Sequence, residues 1–216
     1  MFDKSLLINK TIDFVKQTLA EDTSGHDWWH IYRVWKMACY LAEEENANGL
    51  IVELAALLHD IADWKFHNGD LEASATVANT WLLEQQVDAE VIKKVCHIIN
   101  NVTFKGANVP EAELTLEGKI VQDADRLDAI GAIGIARVFT YGGYKGQSMH
   151  DPDLPLEFHD SFEAYKNKNT TAINHFYEKL LLLKDRVHTK TAKKIALERH
   201  QFMQMYLAQF HAEWNV

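Results

Sequence analysis

The 216-residue chain reads as an all-α protein, and three observations say so. Its three prolines stand at 110, 152 and 155, so the first 109 residues carry no helix breaker. Ala, Leu, Glu and Lys, which lose little on entering a helix, are frequent. No sustained apolar/polar alternation marks a half-buried strand, and no internal repeat is present.

The apolar periodicity places helices at about 3–20, 28–47, 50–62, 70–86, 88–101, 113–140, 158–182 and 188–213. Asp22, Thr23 and Ser24 supply cap residues ahead of the second helix. Gly49 separates the second from the third, and Gly69 with Asp70 opens the fourth. The stretch TFKGANVPEA, 103–112, is a loop. From 113 to 140 a single long helix is expected, stopped by Gly142 and Gly143. The Gly- and Pro-rich stretch 141–157 is the longest irregular segment, suited to a domain boundary or an active-site loop. One domain is expected over 1–216, with helices 158–213 packed on the rest.

A composition of 47% hydrophobic and 25% charged residues is that of a soluble globular protein. No apolar run is long enough to cross a membrane, and the opening MFDKSLLINKTIDF lacks a signal-peptide core. Cys39 and Cys96 sit in apolar periodic stretches with no CxxC pair. They read as buried thiols of a cytoplasmic protein, not as a zinc ribbon. A net charge of −9 argues against nucleic-acid partners. Residues 161–200 are locally basic, with nine Lys and Arg against four Asp and Glu, which reads as a solvated helix face. The apolar stretch QFMQMYLAQF packs within the chain or against a second copy, so a monomer or a homodimer is expected.

Chemistry concentrates in three places. The first is LAALLHDIADW, residues 54–64, apolar on nearly every side and therefore a buried helix. Four His-Asp pairs occur, at 26–27, 59–60, 150–151 and 159–160, and only His59–Asp60 lies inside an apolar helix. A buried carboxylate there needs a cation or hydrogen bonds. The second is His30, which shares a helical face with Val34, Met37 and Leu41 and so points at the core. The third is the run IVQDADRLDAIGAIGIARVF, where Asp125 and Asp128 lean to one side of the stripe Ile120, Ala124, Leu127, Gly131, Ile135, Val138. Asp123 points nearly opposite. Like charges one turn apart repel, and a cation beside two of them relieves that.

His30, His59, Asp60 and one of Asp125 or Asp128 form an imidazole/carboxylate set without thiolate. Such a set suits one divalent ion, Mn²⁺ first, with Co²⁺, Ni²⁺, Fe²⁺, Zn²⁺ or Mg²⁺ also accommodated. Open coordination positions would activate a water and polarise a phosphoryl group.

The order H…HD…D resembles the HD superfamily of metal-dependent phosphohydrolases, most closely its YedJ/YpgQ-like bacterial branch. The segments SGHDWWHIYRV, ALLHDIADWKF, KIVQDADRLDAIGAIGIARVF and YGG carry the likeness, from Ser24 to Gly143. The resemblance implies an all-α HD-domain helical bundle, with core motifs over 24–143, that hydrolyses phosphate esters or anhydrides, most simply of nucleotides. It selects Asp125, the aspartate of the ADR triplet, as the last metal ligand. Where relatives often carry histidine in the motif reading IINNVTF, this chain has Asn101, which points to an altered substrate preference or lower activity. The GYP signature of cyclic-di-nucleotide phosphodiesterases is absent.

The expected reaction is a nucleoside triphosphate split to monophosphate and pyrophosphate by metal-activated water. Alternatives are a nucleotidase, another phosphate-ester hydrolase, or a low-turnover metal- and nucleotide-binding module. Charge in the transition state needs cations. Lys65 is the first candidate, followed by Arg33, Arg126, Arg137 and Lys145, with Asn101 also facing substrate. Asp63 and Asp128 are the groups suited to acid or base work beside Asp60. Trp28, Trp29, Trp35 and Trp64 cluster near the motifs and read as packing before base stacking.

Overall fold

A computed structural model describes residues 3–21, 27–62, 70–104, 106–158, 160–161, 163–164 and 170–215. Among these no strand forms, and the regular elements are helices, as the sequence predicts. The chain divides into two units, Met1–Thr103 with Glu111–Ala124, and Phe104–Pro110 with Asp125–Val216. No helix among the described residues is long and apolar enough to cross a membrane.

The first unit holds α1 (Lys4–Thr18), α2 (Trp28–Glu44), α3 (Gly49–Leu58), α4 (Ala73–Glu84), α5 (Ala89–Val102) and most of α6 (Leu116–Asp128). Side-chain caps start most of them: Asp3 accepts from the Leu6 amide, Asp27 from His30, Asn48 from Leu50, and Asp88 from Glu90. The cap of α2 is thus Asp27, nearer the helix than the expected Asp22, Thr23 or Ser24, which lie outside the described residues. Helix α3 packs against α1, α2, α4 and α5. That central place explains its composition, since Leu54 to Leu58 are all fully buried. It ends at Leu58, so His59–Ala62 form a turn where a continuous helix was expected. Gln122 of α6 donates to the Asn101 and Val102 carbonyls at 3.3 and 3.4 Å, occupying acceptors that the end of α5 leaves open.

The second unit holds the last residues of α6, α7 (Gly131–Lys145), α8 (Ala172–Glu178), a 3-10 helix (Leu180–Arg186) and α9 (Lys190–Trp214). Helix α9 packs on α7 and the 3-10 helix, and α8 packs on both. Phe139, Phe176 and Tyr206 form an aromatic core, with centroid separations of 5.9–6.3 Å. Phe104 is covered by Lys179 and Arg186, with Nζ 5.1 Å and the guanidinium carbon 5.2 Å from its ring centre.

Three expectations are corrected here. The helix expected over 113–140 is two helices: α6 ends at Asp128, and Gly131 turns the corner at φ +76°. Gly142 and Gly143 do not stop α7, which runs on to Lys145 and ends at Gly146, φ +67°. There the Gln147 amide reaches back to the Gly142 carbonyl at 2.8 Å. The helix expected over 158–182 is replaced, among the described residues, by the short α8 and the 3-10 helix.

Candidate metal centre

Two rigid elements and one turn bring three ligands together. His30 stands in the first turn of α2, its backbone amide held 3.0 Å from the Asp27 carboxylate, and is fully buried. His59 follows the last residue of α3, and Asp60 the next. The Asp60 carboxylate oxygen Oδ2 lies 3.5 Å from His30 Nε2 and 3.6 Å from His59 Nε2. One ligand atom from each residue falls within 4.8 Å of the others. The Asp60 side chain keeps 18% exposure while those of the two histidines keep 0% and 2%, so the set opens toward solvent on the carboxylate side.

The tautomer of His59 follows from its surroundings. Its Nδ1 lies 2.9 Å from the Ala56 carbonyl, which only accepts. Nδ1 therefore carries the proton, and in the neutral ring Nε2 keeps its lone pair. A lone pair set against a carboxylate oxygen is repulsive unless a proton or a metal cation is shared between them. The residues thus fit a divalent ion: two imidazoles and a carboxylate, in the intermediate-to-hard range of ligands. The Ala56 carbonyl supplies the outer hydrogen bond that such histidines make.

Asp125, the fourth ligand the family pattern implies, is half-buried in the second unit, its carbonyl accepting from Ala129 at 3.1 Å. Asp128 is buried there and paired with Arg137 at 2.9 Å. Arg126 is also buried and donates to the Arg186 carbonyl. The Lys145 ammonium lies over Tyr141 and Tyr144 at 5.8 and 5.6 Å. Arg126 and Arg137 therefore have structural work within their own unit. In the first unit Arg33 is half-buried on α2, and the Asn101 amide donates to the His97 carbonyl at 2.8 Å. Asp63, Lys65 and Trp64 lie outside the described residues. Asp123, turned away from Asp125 by periodicity, is fully buried as well.

The remaining tryptophans have separate neighbours. Trp35 donates to Glu53 at 3.1 Å, Trp28 lies under the Lys16 ammonium at 4.9 Å, and Trp29 is 61% exposed. Sequence reasoning missed Ser74, which accepts the buried Ala62 amide at 3.0 Å at the end of the turn. A serine twelve residues away, at the start of another helix, gives no local signal for that contact.

Residues 28–130 match the model of the HD domain family. YpgQ of Bacillus subtilis is 39% identical over 93% of this chain and 90% of its own length. Its crystal structure in complex with ADP aligns at 35% identity and a TM-score of 0.76, over 97% of this chain and 96% of that one. An HD-superfamily hydrolase from Bacillus thuringiensis is 47% identical, TM-score 0.75, covering 99% and 100%. A protein from Lactobacillus plantarum is 38% identical with a TM-score of 0.88, covering 100% and 99%.

Proposed function

This chain belongs to the HD-domain family of metal-dependent phosphohydrolases, and we propose that its substrate is a nucleotide, a nucleoside triphosphate cleaved to monophosphate and pyrophosphate. The convergence of His30, His59 and Asp60 on one point carries the reading. The ADP complex of the similar YpgQ supports the nucleotide as substrate class. His30, His59 and Asp60 would hold a divalent ion, which when bound would lower the pKa of a water and draw charge from a phosphoryl oxygen. We take Mn²⁺ as that ion.

The chain's own residues do the rest. His59 offers Nε2 because Ala56 fixes its Nδ1 proton. His30 is held by a capped helix and Asp60 by the turn, so the ligands need little rearrangement. As a fourth ligand we propose Asp125, on the family resemblance alone. Lys65 and Arg33 are the cations proposed for the phosphate chain, and Asp63 the proton carrier. Asp128, with Arg137 bonded to it, suits holding the α6–α7 corner better than proton transfer.

The test is phosphate and pyrophosphate release from a panel of nucleoside mono-, di- and triphosphates with Mn²⁺, wild type against Asp60→Ala. Pyrophosphate from triphosphates, lost in the variant, is the expected result. Inorganic phosphate from monophosphates would make the protein a nucleotidase. A bound ion without turnover would make it a binding module and direct attention to Asn101.

A further inference from the structure

We propose that Ser74 is a positioning residue for Asp60, acting through the turn that carries the aspartate. The proposal rests on the metal-centre reading above. The three ligands are placed by different means. His30 belongs to a capped helix, and His59 is tethered to the Ala56 carbonyl of the preceding helix α3. Asp60 lies beyond the end of α3, in the turn His59–Ala62, so the path of its backbone depends on that turn.

Among the described residues, two backbone amides of the turn are hydrogen-bonded. The Ile61 amide reaches the Leu58 carbonyl at 3.3 Å, a local contact. The Ala62 amide donates to Ser74 Oγ at 3.0 Å, and this one comes from another helix, α4. Ile61, Ala62 and Ser74 are all buried, at 3%, 5% and 7% exposure. Water therefore does not replace the hydroxyl easily, and the Ala62 amide has a strong demand for it. Ser74 sits in the first turn of α4, a helix with no side-chain cap at Glu72, so the serine is spent on the turn and not on its own helix start. The effect is to anchor the far side of Asp60 to the packed pair α4 and α5. Outer contacts of this kind hold ligand geometry, and their loss typically weakens metal binding by about 10–100-fold.

The experiment measures Mn²⁺ affinity by the paramagnetic resonance signal of the free ion, for wild type, Ser74→Ala and Ser74→Thr, with Asp60→Asn as reference. Melting and circular dichroism on the same samples report the fold. Ser74→Ala should bind Mn²⁺ about tenfold more weakly. Its kcat at saturating Mn²⁺ should stay near wild type, and Ser74→Thr, which keeps the hydroxyl, should restore the affinity. An unchanged Mn²⁺ affinity in folded Ser74→Ala, with only a lower melting temperature, would overturn the proposal. Exchange of the Ala62 amide in the wild type provides a variant-free check, with slower exchange expected when Mn²⁺ is bound. No slowing would also overturn it. A wild type that takes up no Mn²⁺ would instead remove the metal-centre reading itself.

Discussion

The rings of His30 and His59 meet edge to face, 5.3 Å between centroids and 67° between planes. That contact holds both Nε2 atoms within 3.6 Å of the same Asp60 oxygen. An ion bound there favours the folded chain over the unfolded one, which does not assemble the three ligands. At a hundred times its Kd the ion contributes about 2.7 kcal/mol. For a chain of this size that raises the melting temperature by roughly 5–10 °C. Melting curves in Mn²⁺ and in EDTA should show this shift for the wild type and lose it in His59→Ala. A wild-type melt that Mn²⁺ leaves in place would refute it.

Glycine has opposite worth at two positions of α7. Gly131 takes φ +76°, and a Cβ there would stand 2.9 Å from Arg199 Cγ and 3.0 Å from its Cβ. Arg199 cannot yield freely, because its guanidinium donates to the Leu127 carbonyl at 2.5 Å and closes the end of α6. Burial lowers the Arg199 pKa, and the nearby Asp128 charge pulls it back up. Gly131→Ala should therefore cost at least about 1–2 kcal/mol from the left-handed backbone alone. Gly143 is inside the helix with nothing within 4 Å, so Gly143→Ala should stabilise by about 0.5–1 kcal/mol. Urea midpoints that move the same way for both would contradict this.

The readable part of the site was the part where burial and polarity conflict. His59 and Asp60 stand out because a run such as LAALL has no reason to end on two polar groups. His30 stands out by its place on an apolar face. The α6–α7 corner was hidden because Leu127, Gly131 and Ile135 continue the helical stripe across it. Ala129 and Ile130 break the helix and Gly131 takes φ +76°, where a Cβ would meet Arg199, far along the chain. Gly142 and Gly143 looked like a stop, yet the terminating glycine is the one that takes the left-handed φ, Gly146. Caps and corners made by distant residues are invisible to periodicity. So was the hydroxyl of Ser74.

Cys39 gives the protein an alkaline limit. Burial, reinforced by the Glu53 carboxylate, pushes its thiol pKa from 9.0 up to about 11. Between those values the unfolded chain has released this proton while the folded chain keeps it. The group's contribution is therefore complete below pH 9 and is lost as pH rises toward 11. Urea unfolding at pH 8, 9.5 and 11 should show stability falling across that window, with a smaller fall in Cys39→Ala. At pH 8 the native thiol should react slowly with a disulfide reagent and quickly in urea. Fast native reaction would contradict the protonated, half-buried state.

The irregular segment after α7 is tied down from α8. The Ala172 and Ile173 amides donate to the Ser148 and Met149 carbonyls at 3.1 and 3.0 Å. Asn174 Nδ2 donates to the Leu154 carbonyl at 3.0 Å. The buried Glu178 carboxylate accepts from the Thr170 hydroxyl at 2.9 and 3.0 Å and from the Glu157 amide at 3.4 Å. These bonds fix backbone that has no regular hydrogen bonding of its own, while Met149, Leu156 and Phe158 stay about half exposed. Replacing Glu178 with Leu removes the acceptor of the exposed Glu157 amide and leaves the buried Thr170 hydroxyl only the Thr171 carbonyl at 3.4 Å, at a cost of up to roughly 1–3 kcal/mol, most of it at Thr170. Glu178→Gln retains one acceptor oxygen and should cost less. Chymotrypsin should then cut near Leu156 and Phe158 fastest in Glu178→Leu, more slowly in Glu178→Gln and slowest in the wild type. If the three chains are cut at one rate, the carboxylate does not hold the segment. If cutting instead follows the global urea midpoint, the segment opens only when the whole unit unfolds.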